Sequence, residues 1–435
     1  MRIKQINVKN LFGMFNHTIP MKMNDRITII HGPNGLGKTF ILKMLDSLFN
    51  LSFYELRRIP FGELSVNFDK DLSLIVKKDI NDETTKRELI FELIKNDKKV
   101  ESYNLKSNIR REFPFPLGII ETEISELQRL GVDTWLYLPT QEELSLEEVL
   151  DRFNDRLPHS MTDIPDWLKE IINLINVHFI ETQRLLSFLS SHSQRDFKGK
   201  VPTPAVNKYS QEIINKIQSK LAEYATLSHS LDRTFPIRLV KGIKSKKTIE
   251  QLKNSLNDLE KKRSLLVNAG LLDQEEDIDF KELQNIDESN KNVLLVYVED
   301  MKKKLSVFDE MTDKIEMFVN IINKTFLYKH MSISKKDGFV FKTSENKIIS
   351  PTSLSSGEQH ELVLLYELLF KVKPNSLILI DEPELSLHVA WQQQFLKDLR
   401  GIIKLTDIDI LIATHSPQII HDRWDLTVEL NRTEK

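Results

Sequence analysis

Gly32 to Thr39 form the glycine-rich segment Gly-Pro-Asn-Gly-Leu-Gly-Lys-Thr, whose spacing matches a phosphate-binding P-loop. The segment follows the apolar run Ile27 to Ile30, which is typical of a strand, and precedes apolar residues at helical spacing from Ile41 to Phe49. In such a loop, backbone N–H groups surround a phosphate, the lysine reaches the β and γ phosphates, and the threonine ligates Mg²⁺. The motif therefore predicts a nucleotide site formed by Asn34, Gly35, Gly37, Lys38 and Thr39.

Two further apolar runs end in polar residues. Leu377 to Ile380 are followed by Asp381 and Glu382, and Leu411 to Ala413 are followed by Thr414 and His415. Ligands of open α/β sheets bind at the carboxyl ends of such strands, so these residues are candidates for the same site. Asp381 could hold Mg²⁺, Glu382 could polarise the attacking water and His415 could hydrogen-bond the γ-phosphate. The alternatives are a solvated acidic turn and a structural histidine.

Ser353 to Gln359 precede a strongly apolar segment that has the length of a helix. One interpretation is that a serine caps this helix and that Glu358 supplies the acidic residue of the first turn. The other is that the N-terminus of the helix presents its free N–H groups to an anion, with Ser355, Gly357 and Glu358 at the binding site.

The remaining pattern predicts an α/β fold with a mixed sheet and flanking helices. Runs between residues 61 and 118 indicate an antiparallel subdomain. From residue 205 to 330 the chain is rich in Lys, Glu, Asn, Leu and Ile, and apolar residues from Val298 to Ile322 repeat at spacings of three and four. We therefore expect three segments: lobe I at 1–204, a helical insert at 205–330 and lobe II at 331–435. The insert could form exposed coiled-coil arms or a bundle of amphipathic helices.

Composition excludes several classes of protein. The chain has 435 residues, a formal net charge of −3, 40% hydrophobic and 29% charged residues, and no cysteine. It therefore has no disulfide scaffold, thiol catalysis, Cys-ligated zinc or iron–sulfur cluster, and its composition argues against a mostly disordered chain. Because no signal-peptide core or long apolar run is present in the sequence, we expect a cytoplasmic protein without a membrane partner.

The four motifs, in this order, resemble the nucleotide-binding domain of the ABC superfamily, in the branch that includes the SMC, Rad50 and RecF proteins. Leu354 to Glu358 resemble the signature motif, although Ser356 stands where that family usually has glycine, and Leu385 to His388 occupy the D-loop position. The resemblance implies that two protomers sandwich ATP and Mg²⁺ head to tail, with Ser355 and Gly357 acting in trans.

Gln183 resembles the Q-loop glutamine, which in this family contributes to catalysis and to Mg²⁺ binding. It follows the predicted strand 177–180 and lies just ahead of the helical insert. Gln128 and Gln141 also precede the insert and are the alternatives for this role.

Within that branch, Asp381 to His388 are similar to ATPases of the overcoming-lysogenization-defect type. The longer segment from Asp381 to Asp425 resembles the AriA family, the ATPase subunits of PARIS anti-phage systems. This resemblance implies a homo-oligomer of ATP-bound protomers that retains a separate Toprim nuclease of the AriB type and responds to a phage-encoded acidic protein that mimics DNA.

Three alternatives remain open at this point. They are a Septu PtuA-like ATPase with an HNH nuclease partner, a RecF-like ATPase that acts directly on DNA, and a scaffold that holds ATP without hydrolysing it. Direct DNA binding also stays open, because the basic cluster Lys241, Lys244, Lys246 and Lys247 could bind DNA or an acidic protein, or could form a solvated turn.

Overall fold

The computed structural model describes residues 1–78, 88–105, 117–124, 126–153, 164–180, 186–187, 203–241, 248–273, 291–385, 387 and 389–430. The helices are α1 Lys38–Phe49, α2 Phe53–Arg58, α3 Gly118–Glu123, α4 Leu146–Arg152, α5 Asp166–Asn173, α6 Ala205–Lys241, α7 Ile249–Asn268, α8 Lys291–Ser306, α9 Asp309–Thr325, α10 Ser356–Tyr366, α11 Val389–Gln392, α12 Phe395–Thr406 and α13 Pro417–Ile420. The strands are β1 Ile3–Leu11, β2 Phe15–Pro20, β3 Ile27–His31, β4 Glu63–Phe68, β5 Leu72–Lys77, β6 Leu89–Lys95, β7 Lys98–Leu105, β8 Leu127–Arg129, β9 Thr134–Tyr137, β10 Glu142–Ser145, β11 Asn176–Ile180, β12 Leu186–Ser187, β13 Thr203–Pro204, β14 Lys329–Ser334, β15 Gly338–Thr343, β16 Ile348–Ile349, β17 Ser376–Asp381, β18 Asp409–Thr414 and β19 Thr427–Glu429.

The chain divides into two compact units. The first comprises Met1–Thr203 and Lys371–Lys435, and the second comprises Pro204–Phe370. The P-loop, the acidic pair and His415 belong to the first unit, whereas the residues of the signature-like motif belong to the second. The division into two lobes and an insert at residues 204/205 and 330/331 stays a prediction.

A parallel sheet forms the centre of the first unit, with strand order β11-β17-β18-β3-β19. Strands β17 and β18 pair in parallel from Leu377 opposite Asp409 to Asp381 opposite Ala413. Strand β17 is buried along its whole length, as expected for a parallel strand covered on both faces. Since all strands point the same way, the residues that follow β3, β17 and β18 emerge at one edge of the sheet.

An antiparallel sheet, in the order β2-β1-β4-β5-β6-β7, forms the other large layer of the first unit. Helix α1 supplies buried Leu42, Leu45 and Leu48 to a core shared with residues of both sheets, such as Val66 and Leu411. A smaller sheet, β10-β9-β8, encloses its own core around the fully buried Trp135. Helix α1, which begins directly after the P-loop, is thus fixed by apolar burial on the central sheet.

The second unit contains the helices of the insert, a three-stranded antiparallel sheet in the order β14-β15-β16, and helix α10. Helix α8 packs against both α6 and α7, and α10 packs against α6. Arg238 of α6 binds the buried Asp300 of α8 with two hydrogen bonds, one of them from Nη2 to Oδ2 at 2.7 Å. The insert helices therefore pack on each other, which is the bundle alternative.

The α/β class is confirmed, and the parallel and antiparallel strands lie in separate sheets. Strand β3, the helix after Gly37 and the antiparallel strands after residue 61 all occur where the sequence predicts them. The continuous apolar spacing from Val298 to Ile322 is typical of one helix, but the structure has two. Helix α8 ends at Ser306, helix α9 begins at Asp309, and the buried Phe308 lies between them. None of the helices in the described ranges is long and apolar enough to cross a membrane.

Candidate functional site

The P-loop connects β3 to α1 with left-handed backbone at its second and third glycines. The φ angles are +88° at Gly35 and +87° at Gly37, and Gly37 is the residue directly before helix α1. Lys38 is buried, and its ammonium donates to the carbonyl oxygens of Gly32 at 2.7 Å and Pro33 at 3.0 Å. The loop thus curls around the lysine, and a bound phosphate would take the place of these carbonyls as its partner.

Thr39 and Asp381 meet across the edge of the central sheet. The Thr39 hydroxyl donates to Asp381 Oδ1 at 3.1 Å, which joins the start of α1 to the end of β17. Burial raises the pKa of the Asp381 carboxyl to about 6, with a further contribution from Glu382 and against the opposing hydrogen bond from Thr39. A buried carboxylate is stabilised by a nearby cation, and Mg²⁺ takes hydroxyl and carboxylate oxygens as ligands. The pair therefore fits a magnesium ion.

Glu382 and His415 lie side by side where β17 and β18 end. His415 Nδ1 is 3.6 Å from Glu382 Oε1, and 42% of the His415 side chain and 26% of the Glu382 side chain are exposed. Glu382 has a φ angle of +42° and is held by its backbone N–H, which donates to the Ala413 carbonyl at 2.8 Å. A left-handed non-glycine residue is strained, and such strain concentrates at functional positions.

The charge around Lys38 is dominated by carboxylates. Burial lowers the pKa of the Lys38 ammonium, and the charges of Glu382, Glu384 and Asp381 oppose that shift. Because three acidic groups surround this lysine, a polyphosphate would approach favourably together with a divalent cation.

A cavity of 430 Å³ opens next to the first half of the P-loop. Asn34 and His415 line it, together with Trp424, whose ring lies edge-on to that of His31 at a centroid distance of 5.4 Å. Asn34 and Gly35 are exposed, so the phosphate-facing part of the loop is open to a ligand.

The signature-like residues begin helix α10 in the second unit. Ser355 caps this helix, because its hydroxyl accepts from Glu358 N at 3.3 Å and its own N–H donates to Glu358 Oε2 at 2.8 Å. The Lys329 ammonium donates a hydrogen bond to each carboxylate oxygen of Glu358, both at 2.6 Å. Burial acts against ionisation, but these partners together hold the pKa of the Glu358 carboxyl below its ordinary value. The predicted helix cap is therefore confirmed, while Ser355 and Ser356 remain exposed.

Several predicted residues lie outside the described residues. Gln183 is one, and the others are Ser386 and His388 of the D-loop position and Lys244, Lys246 and Lys247 of the basic cluster. Of the two alternative glutamines, Gln128 lies on β8 and the Gln141 side chain donates to the Leu138 carbonyl at 2.9 Å. The role of Gln183 thus stays a prediction.

Glu384 has no role in the predictions from sequence, yet it contacts the end of β18. Its Oε1 accepts from the Thr414 hydroxyl at 2.7 Å and from the His415 N–H at 3.0 Å. The available signal is its position as a third acidic residue directly after Asp381-Glu382-Pro383. Its position in the sequence does not show that Glu384 contacts Thr414, which lies thirty residues further along the chain.

Comparison with known protein families gives a match over residues 1–420 to a family described as AAA ATPase domain. The chain belongs to this family. An ATPase domain binds nucleotide, which agrees with the P-loop geometry described above.

Relatives of this AAA ATPase domain include the Retron Ec83 probable ATPase of Escherichia coli. It is 28% identical over 173 residues, which cover 34% of this chain and 31% of that relative, so the match spans less than a third of the relative's length. The structure is also similar to the Smc head domain of Pyrococcus furiosus bound to the C-terminal domain of ScpA, at 14% identity and a TM-score of 0.35, covering 99% of this chain and 94% of that one. The SMC head domain of Thermotoga maritima gives 11% identity and a TM-score of 0.33, covering 97% and 91%.

Proposed function

We propose that this AAA ATPase domain protein binds and hydrolyses ATP and, by ATP-dependent self-association, controls a separate nuclease subunit of an anti-phage defence system. The observation that carries the ATPase part is the convergence of three strand ends. The P-loop after β3, the acidic pair after β17 and His415 after β18 meet at one edge, and Thr39 is bonded to Asp381.

The residues at the carboxyl ends of β3, β17 and β18 have different roles in the proposed hydrolysis of ATP. Lys38 leaves the loop carbonyls and binds the β and γ phosphates, while the backbone N–H groups of Gly35 and Gly37 surround the phosphate. Glu382 accepts a hydrogen bond from the attacking water and orients it towards the γ-phosphorus. His415 donates a hydrogen bond to the γ-phosphate, and its distance of 3.6 Å from Glu382 places it next to the same reacting group.

Thr39 and Asp381 are the residues that would hold Mg²⁺, and the ion would neutralise charge on the β and γ phosphates. Burial raises the pKa of Asp381 to about 6, which is still below neutral pH. The carboxylate form therefore dominates there and is available as a ligand.

The resemblance to ABC-type ATPases supports completion of the site in trans. Ser355 and Gly357 begin helix α10, whose N-terminal N–H groups and positive dipole end favour an anion. We propose that these groups contact the ATP bound to a second copy of the chain. The Glu358 carboxylate, which holds the Ser355 cap and Lys329, orients this helix end rather than contacting phosphate itself.

The defence role is supported by two resemblances. The segment from Asp381 to Asp425 resembles AriA-type ATPase subunits of PARIS systems, and part of the chain is similar to the Retron Ec83 probable ATPase. We therefore propose a Toprim nuclease of the AriB type as the partner, with an acidic phage protein as the trigger of its release.

Co-expression with the neighbouring gene tests this proposal. The chain is purified as wild type and as Lys38→Ala, and particle masses are measured with and without ATP. The expected result is a homo-oligomer that carries a nuclease-sized second subunit in the wild type and is absent or smaller in Lys38→Ala. An HNH nuclease in the complex would instead indicate a Septu-like system. An ATP-dependent dimer that retains DNA, with binding that weakens steeply with salt, would favour a RecF-like function.

A further inference from the structure

Glu384 joins the end of β17 to the end of β18 through a buried carboxylate. Its side chain is 7% exposed and lies in the turn Pro383–Leu385. Oε1 accepts two hydrogen bonds, from the Thr414 hydroxyl and the His415 N–H. The carboxylate therefore fixes the backbone at the point where the His415 side chain leaves the sheet.

The same oxygen also faces the His415 ring. His415 Nδ1 is 3.3 Å from Glu384 Oε1 and 3.6 Å from Glu382 Oε1, so one edge of the imidazole faces two carboxylates. Glu384 is buried and held by two donors, whereas the Glu382 side chain is partly exposed. A proton on Nδ1 is attracted to both groups, and Glu384 is the one with a fixed position.

The second carboxylate oxygen of Glu384 differs from the first in its hydrogen bonding. Oε2 is buried and has no hydrogen-bond partner among the described residues. A buried carboxylate oxygen without a partner is unfavourable unless nearby positive charge compensates it. The Lys38 ammonium interacts favourably with Glu384, and the His415 ring lies 3.3 Å from its Oε1.

We propose that Glu384 is a positioning residue for ATP hydrolysis, which holds the Nδ1 edge of His415. When both ring nitrogens carry a proton, Nδ1 donates to Glu384 and Nε2, on the far edge of the ring, donates to the γ-phosphate, so the Glu382 carboxylate is left to the attacking water. This inference rests on the proposed function. Without the charge of Glu384, the Nδ1 proton of His415 pairs with Glu382 instead and competes with the water for its carboxylate.

Glu384→Gln is the most direct test because it removes the charge while keeping the size of the side chain and one acceptor oxygen. We expect kcat for ATP hydrolysis to fall about 10- to 100-fold, by analogy with carboxylates that orient metal-ligating histidines. The Kd for ATP should stay within about twofold, because the effect arises in the transition state. Glu384→Asp, which restores the charge on a shorter side chain, should recover part of the loss.

Asp422→Asn provides a matched control. Asp422 also faces a histidine, with Oδ1 at 3.1 Å from His421 Nδ1, but its side chain is 76% exposed. Loss of this exposed carboxylate should leave kcat unchanged, because exposed ion pairs contribute little. An equal fall of kcat in both variants would mean that a general change of surface charge, and not Glu384, is responsible.

A double-mutant cycle tests whether Glu384 acts through His415. In a His415→Ala background, Glu384→Gln should change kcat by less than about twofold, since the group that Glu384 positions is absent. The proposal would be overturned if Glu384→Gln lowered kcat by the same factor in the His415→Ala background as in the wild type. If Glu384→Gln does not fold, Thr414→Val tests the fixed position of the carboxylate instead of its charge, because it removes one of the two donors to Oε1, and it should lower kcat in the same direction.

A measurement on the ring itself separates this inference from the proposed function. With ¹⁵N-histidine labelling and His415→Ala for assignment, the Nδ1 resonance of His415 should shift between wild type and Glu384→Gln in the nucleotide-free protein. An unchanged Nδ1 resonance overturns the positioning role. Absence of ATP hydrolysis in the wild type contradicts the proposed function, whereas the ring resonances still decide on Glu384.

Discussion

Two glycines of the P-loop have the same backbone conformation but different surroundings, and this difference predicts different costs of substitution. Gly35 and Gly37 have φ angles of +88° and +87°. A Cβ at Gly35 has no described atom within 4 Å, whereas a Cβ at Gly37 would lie 2.5 Å from Leu11 Cδ2. Gly35→Ala and Gly37→Ala therefore separate backbone strain from steric overlap.

The expected magnitudes follow from these two terms. Alanine at a left-handed φ costs about 1–3 kcal/mol, and this cost applies to both variants. Leu11 is fully buried and cannot swing away, so Gly37→Ala adds about 1–3 kcal/mol for overpacking. We expect the free energy of unfolding of the first unit to fall by about 1–3 kcal/mol in Gly35→Ala and by about 2–6 kcal/mol in Gly37→Ala.

Urea unfolding of the nucleotide-free protein, followed by tryptophan fluorescence, measures this difference. The sequence has four tryptophans, and Trp135, Trp167, Trp391 and Trp424 all belong to the first unit, so their emission reports that unit. Gly118→Ala is the control. Gly118 has no left-handed φ, and its added Cβ would meet no described atom within 4 Å, so the unfolding transition should not move to lower urea.

Equal destabilisation of Gly35→Ala and Gly37→Ala would refute the steric argument. It would show that Leu11 and the P-loop relax without cost, so that the tight contact between β1 and the loop does not stabilise the site. A larger loss in Gly35→Ala would reverse the predicted order altogether.

Two further substitutions probe Mg²⁺ binding and the helix cap. Thr39→Val removes the hydroxyl bonded to Asp381, so ATP hydrolysis should require at least about tenfold more Mg²⁺, measured by titrating the metal at saturating ATP. For Glu358, Lys329 and Ser355 hold the pKa of the carboxyl below its ordinary 4.5, so its stabilisation is present at neutral pH and is lost as pH falls below that value. Glu358→Gln should therefore cost about 0.5–2 kcal/mol at pH 7 and less at pH 3, measured by thermal unfolding; a difference that does not change with pH would contradict this.

Local patterns predicted the parts of the site that lie within one stretch of chain. The P-loop, the acidic pair after β17 and His415 after β18 are each encoded by a strand and the residues that follow it. Parallel strands end at one edge of a sheet, so these short patterns also predicted that the three groups converge.

Two structural features were not predicted from the sequence: the break between helices α8 and α9, and the contact of Glu384 with the end of β18. Apolar spacing continues through Phe308, and nothing in it marks the break between α8 and α9, because the buried ring of Phe308 keeps the period while the backbone turns. The contact of Glu384 with Thr414 and His415 joins two strand ends whose pairing register is known only from the folded sheet.

The role of Glu382 in hydrolysis is tested by single-turnover ATP hydrolysis with wild type and Glu382→Gln, with ATP binding and particle mass measured on the same samples. Glu382 is assigned as the residue that orients the attacking water. Glu382→Gln should bind ATP as tightly as the wild type and accumulate as an ATP-bound assembly with little turnover. Lys38→Ala should lose both binding and assembly. Hydrolysis at the wild-type rate in Glu382→Gln would contradict the account.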